Sequence, residues 1–292
     1  MSETSRDASP SVVADLIERT ILDVGIPPCP YILDRFITEM RQDDPDFNRL
    51  ATLIGSDVGL SAGLIKTANS PYFGVRQRVR SVNEALAILG LRTASGAVAG
   101  LILRDAFPNV PNLERFWDAS ARIALLSGWL AQYFEIRGLR AEDAYTFGLF
   151  RDCGIPVLLG RFPHYGQLLA KANQELERGF TEVEEDELPT NHAMVGCLLA
   201  QNWWLPEEIC LAIRNHHDAE ALVSEGSNLP QLSRRLIAVS QLAEYIVQRQ
   251  SGLSQTREWE KLGDGCMRVL TLDEVQLEKL YIEAEPIATS SD

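Results

Sequence analysis

An all-α fold follows from three features of the sequence. Apolar residues recur at spacings of three and four, helix start and stop signals punctuate the chain, and no segment alternates as a half-buried strand would. Ser81-Val82-Asn83-Glu84 fits an S-x-x-E capping box, followed by Ala85, Leu86, Ile88 and Leu89, with Gly90 as the expected stop. In the stretch ARIALLSGWLAQYF, the residues Ile123, Leu126, Leu130 and Tyr133 form one apolar stripe. Pro206 suits a first helical turn, Glu207 and Glu208 complement the positive end of the helix dipole, and Ile209, Ile213 and then His216 or His217 keep helical spacing. That places the pair His216-His217 near a helix end. Leu232, Leu236, Val239, Leu242 and Ile246 repeat the pattern, and Thr271-Leu272-Asp273-Glu274 offers a last capping box for a helix through about Glu283.

A chain of 292 residues is long enough to bury a substantial core without disulfides or metals. Hydrophobic residues make up 46% and charged residues 23%, ordinary globular usage. No uninterrupted apolar run approaches a membrane span, and the start, MSETSRDASPSVV, lacks the basic patch and apolar core of a secretory signal. A cytoplasmic protein is expected. Five cysteines, Cys29, Cys153, Cys197, Cys210 and Cys266, are scattered without a CxxC pair, so buried reduced thiols are expected instead of a disulfide framework or zinc site. The formal charge of −14 disfavours nucleic acid and anionic membranes as partners. The local cluster Arg76, Arg78 and Arg80 reads as a solvated turn between helices.

The acidic segment EVEEDELP, Glu182 to Pro189, also reads as a solvated loop, because no calcium-loop spacing accompanies it. Residues 1–14 and the last few residues are expected to be disordered. The polar stretch AEALVSEGSN separates a long N-terminal unit from a helical extension, residues 219–292. Cys153, in apolar surroundings, is expected to be an inert thiol, Gly148 and Gly154 to serve close helix packing, and Trp203-Trp204 to face the core.

The chain has only four histidines: His164, His192, His216 and His217. His164, in RFPHYG, reads as a packing or surface residue. The other three, with Asp152, are of the types that can converge from helix ends on a metal-sized cavity in a bundle. The runs IGSDVGLSAGLIKTANSPYFG, SVNEALAILG, FGLFRDCG and NHAMVGCLLAQNWWLPEEICLAIRNHHD occur in that order. Together they resemble the HDOD family, HD-related output domains: bacterial signalling modules related to the HD metal-dependent phosphohydrolases. The resemblance covers roughly residues 25 to 218.

The resemblance implies an HD-domain/phosphodiesterase-like helical bundle with an N-terminal helical subdomain. The expected division is 15–110 for that subdomain and 111–218 for an HD-like part. HD enzymes hold a divalent metal with a histidine on one helix, an adjacent His-Asp pair on the next and a later Asp; some branches add histidines for a second metal. Matched to that pattern, Ala119 in FWDAS occupies the first histidine position, and the His-Asp pair has become Arg151-Asp152. His192 and His216 or His217 match the additional histidines, and the late acid falls on Glu244. Without two imidazoles, and with a permanent cation at Arg151, a hydrolytic site loses most of its affinity for metal. No cofactor is therefore expected; any metal would have to use Asp152, His192, His216 and His217. Arg151 is expected to form an ion pair with a neighbouring carboxylate. The leading expectation is a non-enzymatic regulatory module that binds signalling proteins supplied in trans. The alternatives are a residual metal-dependent phosphohydrolase, and a sensor that binds a nucleotide or phosphate ligand, such as a cyclic dinucleotide, through Arg151 without hydrolysis.

Overall fold

Short polar side chains start the second and third helices by accepting backbone N–H groups that have no partner within the helix. A computed structural model describes residues 24–288, apart from 108, 109, 111, 112, 137, 225, 253 and 254. The two tails expected to be disordered fall almost wholly outside the described residues. Helix α1 (Tyr31–Met40) is followed by α2 (Phe47–Gly55), capped by Asp46, and α3 (Val58–Ala68), capped by Asp57. Asn69, just past α3, exchanges two hydrogen bonds with the backbone of Val79, at 2.9 and 3.0 Å, and so closes the loop that carries the exposed Arg76, Arg78 and Arg80.

Ser81 caps α4 (Val82–Asp105) by accepting from the Glu84 N–H at 3.2 Å. Glu84 reaches back one residue further than a capping box requires, to the Arg80 N–H. Gly90 is a kink and not a stop: its φ of 68° and ψ of 165° interrupt the helix, which then resumes through Asp105. Only glycine enters that region without strain, and the apolar sequence beyond it restores the helical pattern. Among the described residues α4 is long and apolar enough to cross a membrane, but more than half of its most apolar stretch is buried inside the fold.

The second half contains α5 (Glu114–Tyr133), α6 (Ala141–Phe150), α7 (Gly154–Arg161), α8 (Tyr165–Gln174), α9 (Phe180–Glu185), α10 (His192–Asn202), α11 (Glu207–Asn215) and α12 (Ala219–Val223). Then come α13 (Gln231–Ser251), α14 (Glu258–Leu270), α15 (Glu274–Glu283) and α16 (Glu285–Ala288). No strand occurs among the described residues.

Helix α6 is gripped from both sides by helices that approach through glycine. On α4, a Cβ added at Gly96 would lie 2.4 Å from Thr146 Oγ1, and one at Gly100 would lie 2.3 Å from Leu149 Cδ2. On α6 itself, Gly148 meets α5 so closely that a Cβ would sit 2.9 Å from the Ala124 Cα. This contact seats α6 against α5, and the end of α6 delivers Arg151 and Asp152. Helix α13 packs against α5, α6, α11 and α14. Its stripe Leu236, Val239, Leu242 and Ile246 is fully buried.

Three local expectations change. Tyr133 leaves the α5 stripe and is exposed, because it lies at the helix's last turn. Asp273, not Thr271, caps α15; Thr271 adopts a left-handed conformation (φ 57°) that closes the end of α14. Trp203 is buried and its indole N–H donates to the Pro27 carbonyl at 3.1 Å, but Trp204 is turned out by its own positive φ of 61° and lies under the Arg41 guanidinium.

Candidate functional site

Gly154 begins the assembly of the site. At this position a Cβ would stand 2.1 Å from the His192 carbonyl oxygen and 2.8 Å from the Gly196 nitrogen, so glycine alone lets the start of α7 touch the first turn of α10. That contact brings Asp152, two residues before Gly154, beside His192. Asn191 caps α10 by accepting from the Met194 N–H at 2.7 Å, which sets His192 at the first helical position. Helix α11 ends at Asn215 and presents His216 and His217 to the same point. One ligand atom from each of Asp152, His192, His216 and His217 lies within 4.8 Å of the others. The His192 Nε2 is 3.3 Å from the His216 Nε2 and 3.1 Å from the His217 Nε2. Asp152 Oδ1 is 3.2 Å from the His216 Nε2 and 3.7 Å from the His192 Nε2.

The outer nitrogens determine what the inner ones can do. His192 Nδ1 faces Glu184 Oε2 at 2.8 Å, His216 Nδ1 faces the Ile213 carbonyl at 2.7 Å, and His217 Nδ1 faces the Glu258 carboxylate. Each partner offers an acceptor, so each Nδ1 is placed to carry a proton, and a ring that is neutral in that tautomer turns a bare Nε2 lone pair inward. In that tautomer state three lone pairs and a carboxylate oxygen share one space. That arrangement calls for a cation at the centre, and imidazoles oriented by outer carboxylates are how proteins build transition-metal sites. Among the described residues, the carboxylates Asp152, Glu184, Glu244 and Glu258 outnumber the side chains Arg151 and Lys261 that pair with them, an excess that a divalent ion would reduce. The residues present therefore fit one divalent metal.

Burial opposes charge on all three rings. At His192, Glu184 and Asp152 outweigh it and lift the ring above the ordinary histidine value. At His216 and His217 burial prevails, and His217, next to two other rings, is held far below. Burial also works to raise Asp152, but Arg151 and the neighbouring rings outweigh it and hold the carboxyl well below the usual range. Phe180 stacks on the His217 ring at 4.5 Å and closes that side.

Arg151 lies on the other side of Asp152 and is 3% exposed. Its Nε donates to Asp152 Oδ2 at 3.1 Å, its Nη2 to Glu244 Oε2 at 2.7 Å, and its Nη1 reaches the Ser240 carbonyl at 3.5 Å. Gln241 donates to the same Glu244 oxygen at 2.9 Å. Burial alone would weaken the guanidinium charge, yet the two carboxylates hold its pKa above the ordinary arginine value. A cavity of about 440 Å³ opens onto this group, with Arg151, Asp152, Glu244, His217 and Glu258 in its wall; Ala119, which the sequence resemblance sets at the first histidine position, lines it too.

His164 is exposed and takes no part. The acidic run Glu182 to Pro189 is not a solvated loop: Glu182 to Glu185 complete α9, and Glu184 is fully buried. Its carboxylate accepts from the His192 backbone N–H and from the Tyr165 hydroxyl as well as from the His192 ring. Local composition hides this, because Glu184 is enclosed by Tyr165 of the preceding helix and His192 of the following one, neither of which is its neighbour in sequence. The one available signal is the apolar spacing of Phe180 and Val183, which turns the next residue inward. Glu258, equally buried, follows a stretch with no apolar periodicity and carries no sequence signal for its role.

Residues 26–219 match the family model of the HDOD domain. The chain belongs to the HDOD family. A protein from Treponema pallidum (strain Nichols) described as uncharacterized is 29% identical over 200 residues; the match covers 66% of this chain but 38% of that protein, so the chain spans about two fifths of its length. Among solved structures, a candidate phosphohydrolase from Shewanella amazonensis SB2B aligns with a TM-score of 0.68 at 18% identity, covering 92% of this chain and 94% of that one. An HDOD domain protein of unknown function from Geobacter sulfurreducens aligns with a TM-score of 0.66 at 22% identity, covering 94% of each. A candidate signal transduction protein from Marinobacter aquaeolei VT8 aligns at 0.64 and 21% identity, covering 95% of this chain and 63% of that one. At these identities the likeness is one of fold.

Proposed function

We propose that this HDOD protein is a signal-transducing regulatory module that acts by binding a signalling protein in trans, without hydrolytic turnover. The observation that carries this reading is the Arg151 guanidinium seated between Asp152 and Glu244. In the HD enzymes that the sequence resembles, the corresponding acids bind a hydrolytic ion; here both are engaged by a permanent organic cation that cannot activate water. The likeness to a candidate signal transduction protein supports the same direction at the level of fold. The net charge of −14 suits a partner with a basic surface.

The sequence leads to the expectation of no metal or, if any, one held by Asp152, His192, His216 and His217, and the convergence of these four supports the second arm. These residues would hold a single divalent ion, as part of the regulatory state. Such an ion, when bound with an open position, supplies Lewis acidity. The adjoining cavity of about 440 Å³ favours a second reading, a residual phosphohydrolase with one ion. A phosphate-binding role for Arg151 is disfavoured, since the guanidinium is 3% exposed and its charge is already shared between Asp152 and Glu244.

The test is elemental analysis of the purified chain after exposure to manganese, iron, nickel and zinc and extensive dialysis, with phosphodiester and phosphomonoester turnover measured in parallel. One ion per chain with no turnover above an Asp152→Ala control supports the regulatory reading. Metal-dependent turnover that disappears in the control replaces it with the hydrolase.

A further inference from the structure

We propose that Glu258 and the helix it begins, α14, are the element through which occupancy of the His/Asp cluster reaches the surface: ion binding tightens the docking of α14, and release of α14 weakens the ion. This rests on the reading that the cluster holds a divalent metal. Helix α14 lies wholly outside the residues that match the family model. Even so it supplies the carboxylate, 2% exposed, that holds the outer nitrogen of His217.

The segment leading into α14 is held in the cavity wall by a few polar contacts. The Arg257 N–H donates to the Asn173 carbonyl at 3.0 Å, and Lys261, paired with Glu258, reaches the Arg178 carbonyl at 3.3 Å. Gln255 donates to the Gln248 carbonyl at 2.7 Å. Gln255, Thr256 and Glu258 themselves form part of the cavity wall. The remainder of α14 rests on α12 and α13 through Leu262 and Cys266 and through Trp259 stacked on Tyr245 at 4.3 Å. Polar straps of this kind open more readily than the apolar seat of Leu262, Cys266 and Trp259, so the first turn of α14, which carries Glu258, is the part suited to undock locally.

The coupling follows from charge and from reciprocity. An imidazole that donates Nδ1–H to a carboxylate is a better metal ligand than one facing water, and losing such an outer partner typically weakens a site about 10- to 100-fold. Coupling between two binding events acts equally in both directions. If docked Glu258 strengthens the ion by that factor, the ion must favour docked α14 by the same factor. A dication beside His217 also offsets the negative charge that Glu258 brings into a buried, acidic neighbourhood.

The experiment uses the full chain, zinc as the probe, affinity from competition with a chromophoric chelator, and amide hydrogen exchange across residues 255–270 with and without the ion. Zinc should slow exchange in α14 by about 10- to 100-fold. Glu258→Gln, nearly isosteric, should lose affinity by a comparable factor and most of the zinc-induced protection. Glu260→Gln, an exposed acid on the same helix, should do neither. Zinc binding with unchanged exchange in α14, or unchanged affinity in Glu258→Gln, overturns this inference and leaves the metal reading standing. A wild-type chain that binds no zinc overturns both.

Discussion

Arg151 donates to Glu244 at 2.7 Å across 93 residues of sequence, joining the end of α6 to the middle of α13. Both side chains are buried, and Asp152 shares the same guanidinium. Removing the cation alone strands two carboxylates in a site where burial already pushes Glu244 up. Arg151→Met should therefore lose about 3–5 kcal/mol of stability, the usual cost of breaking a buried ion pair from one side. Adding Glu244→Leu should recover a large part of that loss. Urea unfolding of the two single variants and the double variant measures the coupling; additive losses would mean that the pair does not act as a unit.

Gly154→Ala should be among the most damaging small substitutions in the chain. Its new methyl would meet backbone atoms, the His192 carbonyl at 2.1 Å and the Gly196 nitrogen at 2.8 Å, which cannot rotate away. Overpacking of this sort costs about 1–3 kcal/mol and occasionally more, and here relief requires α7 and α10 to separate. Separation moves Asp152 from His192, so zinc affinity should fall together with stability. Gly160→Ala, whose methyl would meet nothing closer than 3.5 Å, serves as the control.

The division between legible and hidden residues has a physical basis. The all-α class follows from spacing and caps because a helix is a local object, set by residues three and four apart. Asp152, His192, His216 and His217 are nameable from sequence because each stands at a helix end within a recognisable run, and helix ends are where side chains can converge. Glu184 and Glu258 are not, since their role depends on which buried ring nitrogen faces them, and nothing within several residues records it. Gly90 misleads for a related reason: a glycine reads as a stop, but tertiary packing of the apolar stretch beyond it lets the helix continue after one turned residue. Trp204 misleads because its exposure comes from one backbone angle and not from its polarity.

Glu184→Gln tests the outer support of His192. The wild-type carboxylate accepts from the His192 ring, the His192 backbone and the Tyr165 hydroxyl. An amide offers one acceptor oxygen and points N–H groups at one of these donors, leaving a buried mismatch worth about 1–3 kcal/mol. Zinc affinity should fall about 10- to 100-fold because the ring loses its orienting charge. Tyr165→Phe removes a donor and leaves the His192 contacts in place, so it should cost stability while affinity changes far less. Equal effects on affinity in the two variants would contradict the assignment of Glu184 as the positioning residue.

Cys266 gives a dependence on pH with a definite sign. It is fully buried on α14, and burial pushes its thiol up to about 12, against the smaller opposing influence of Arg151. In the unfolded chain a thiol ionises near the ordinary value of about 8.5. Above that pH the unfolded state has lost a proton that the folded state keeps, so stability falls as pH rises, by about 1.4 kcal/mol per pH unit for this one group. Below pH 8 both states keep the proton and the contribution is flat. Other buried groups titrate in the alkaline range too, including Tyr72, pushed up to about 12 by burial, so the comparison must be a difference. Cys266→Ala should reduce the alkaline slope between pH 9 and 11 relative to wild type while leaving the slope between pH 6 and 8 unchanged. Parallel curves for the two proteins across the whole range would show that the thiol ionises as readily in the folded chain as in the unfolded one, and that α14 is not docked as described.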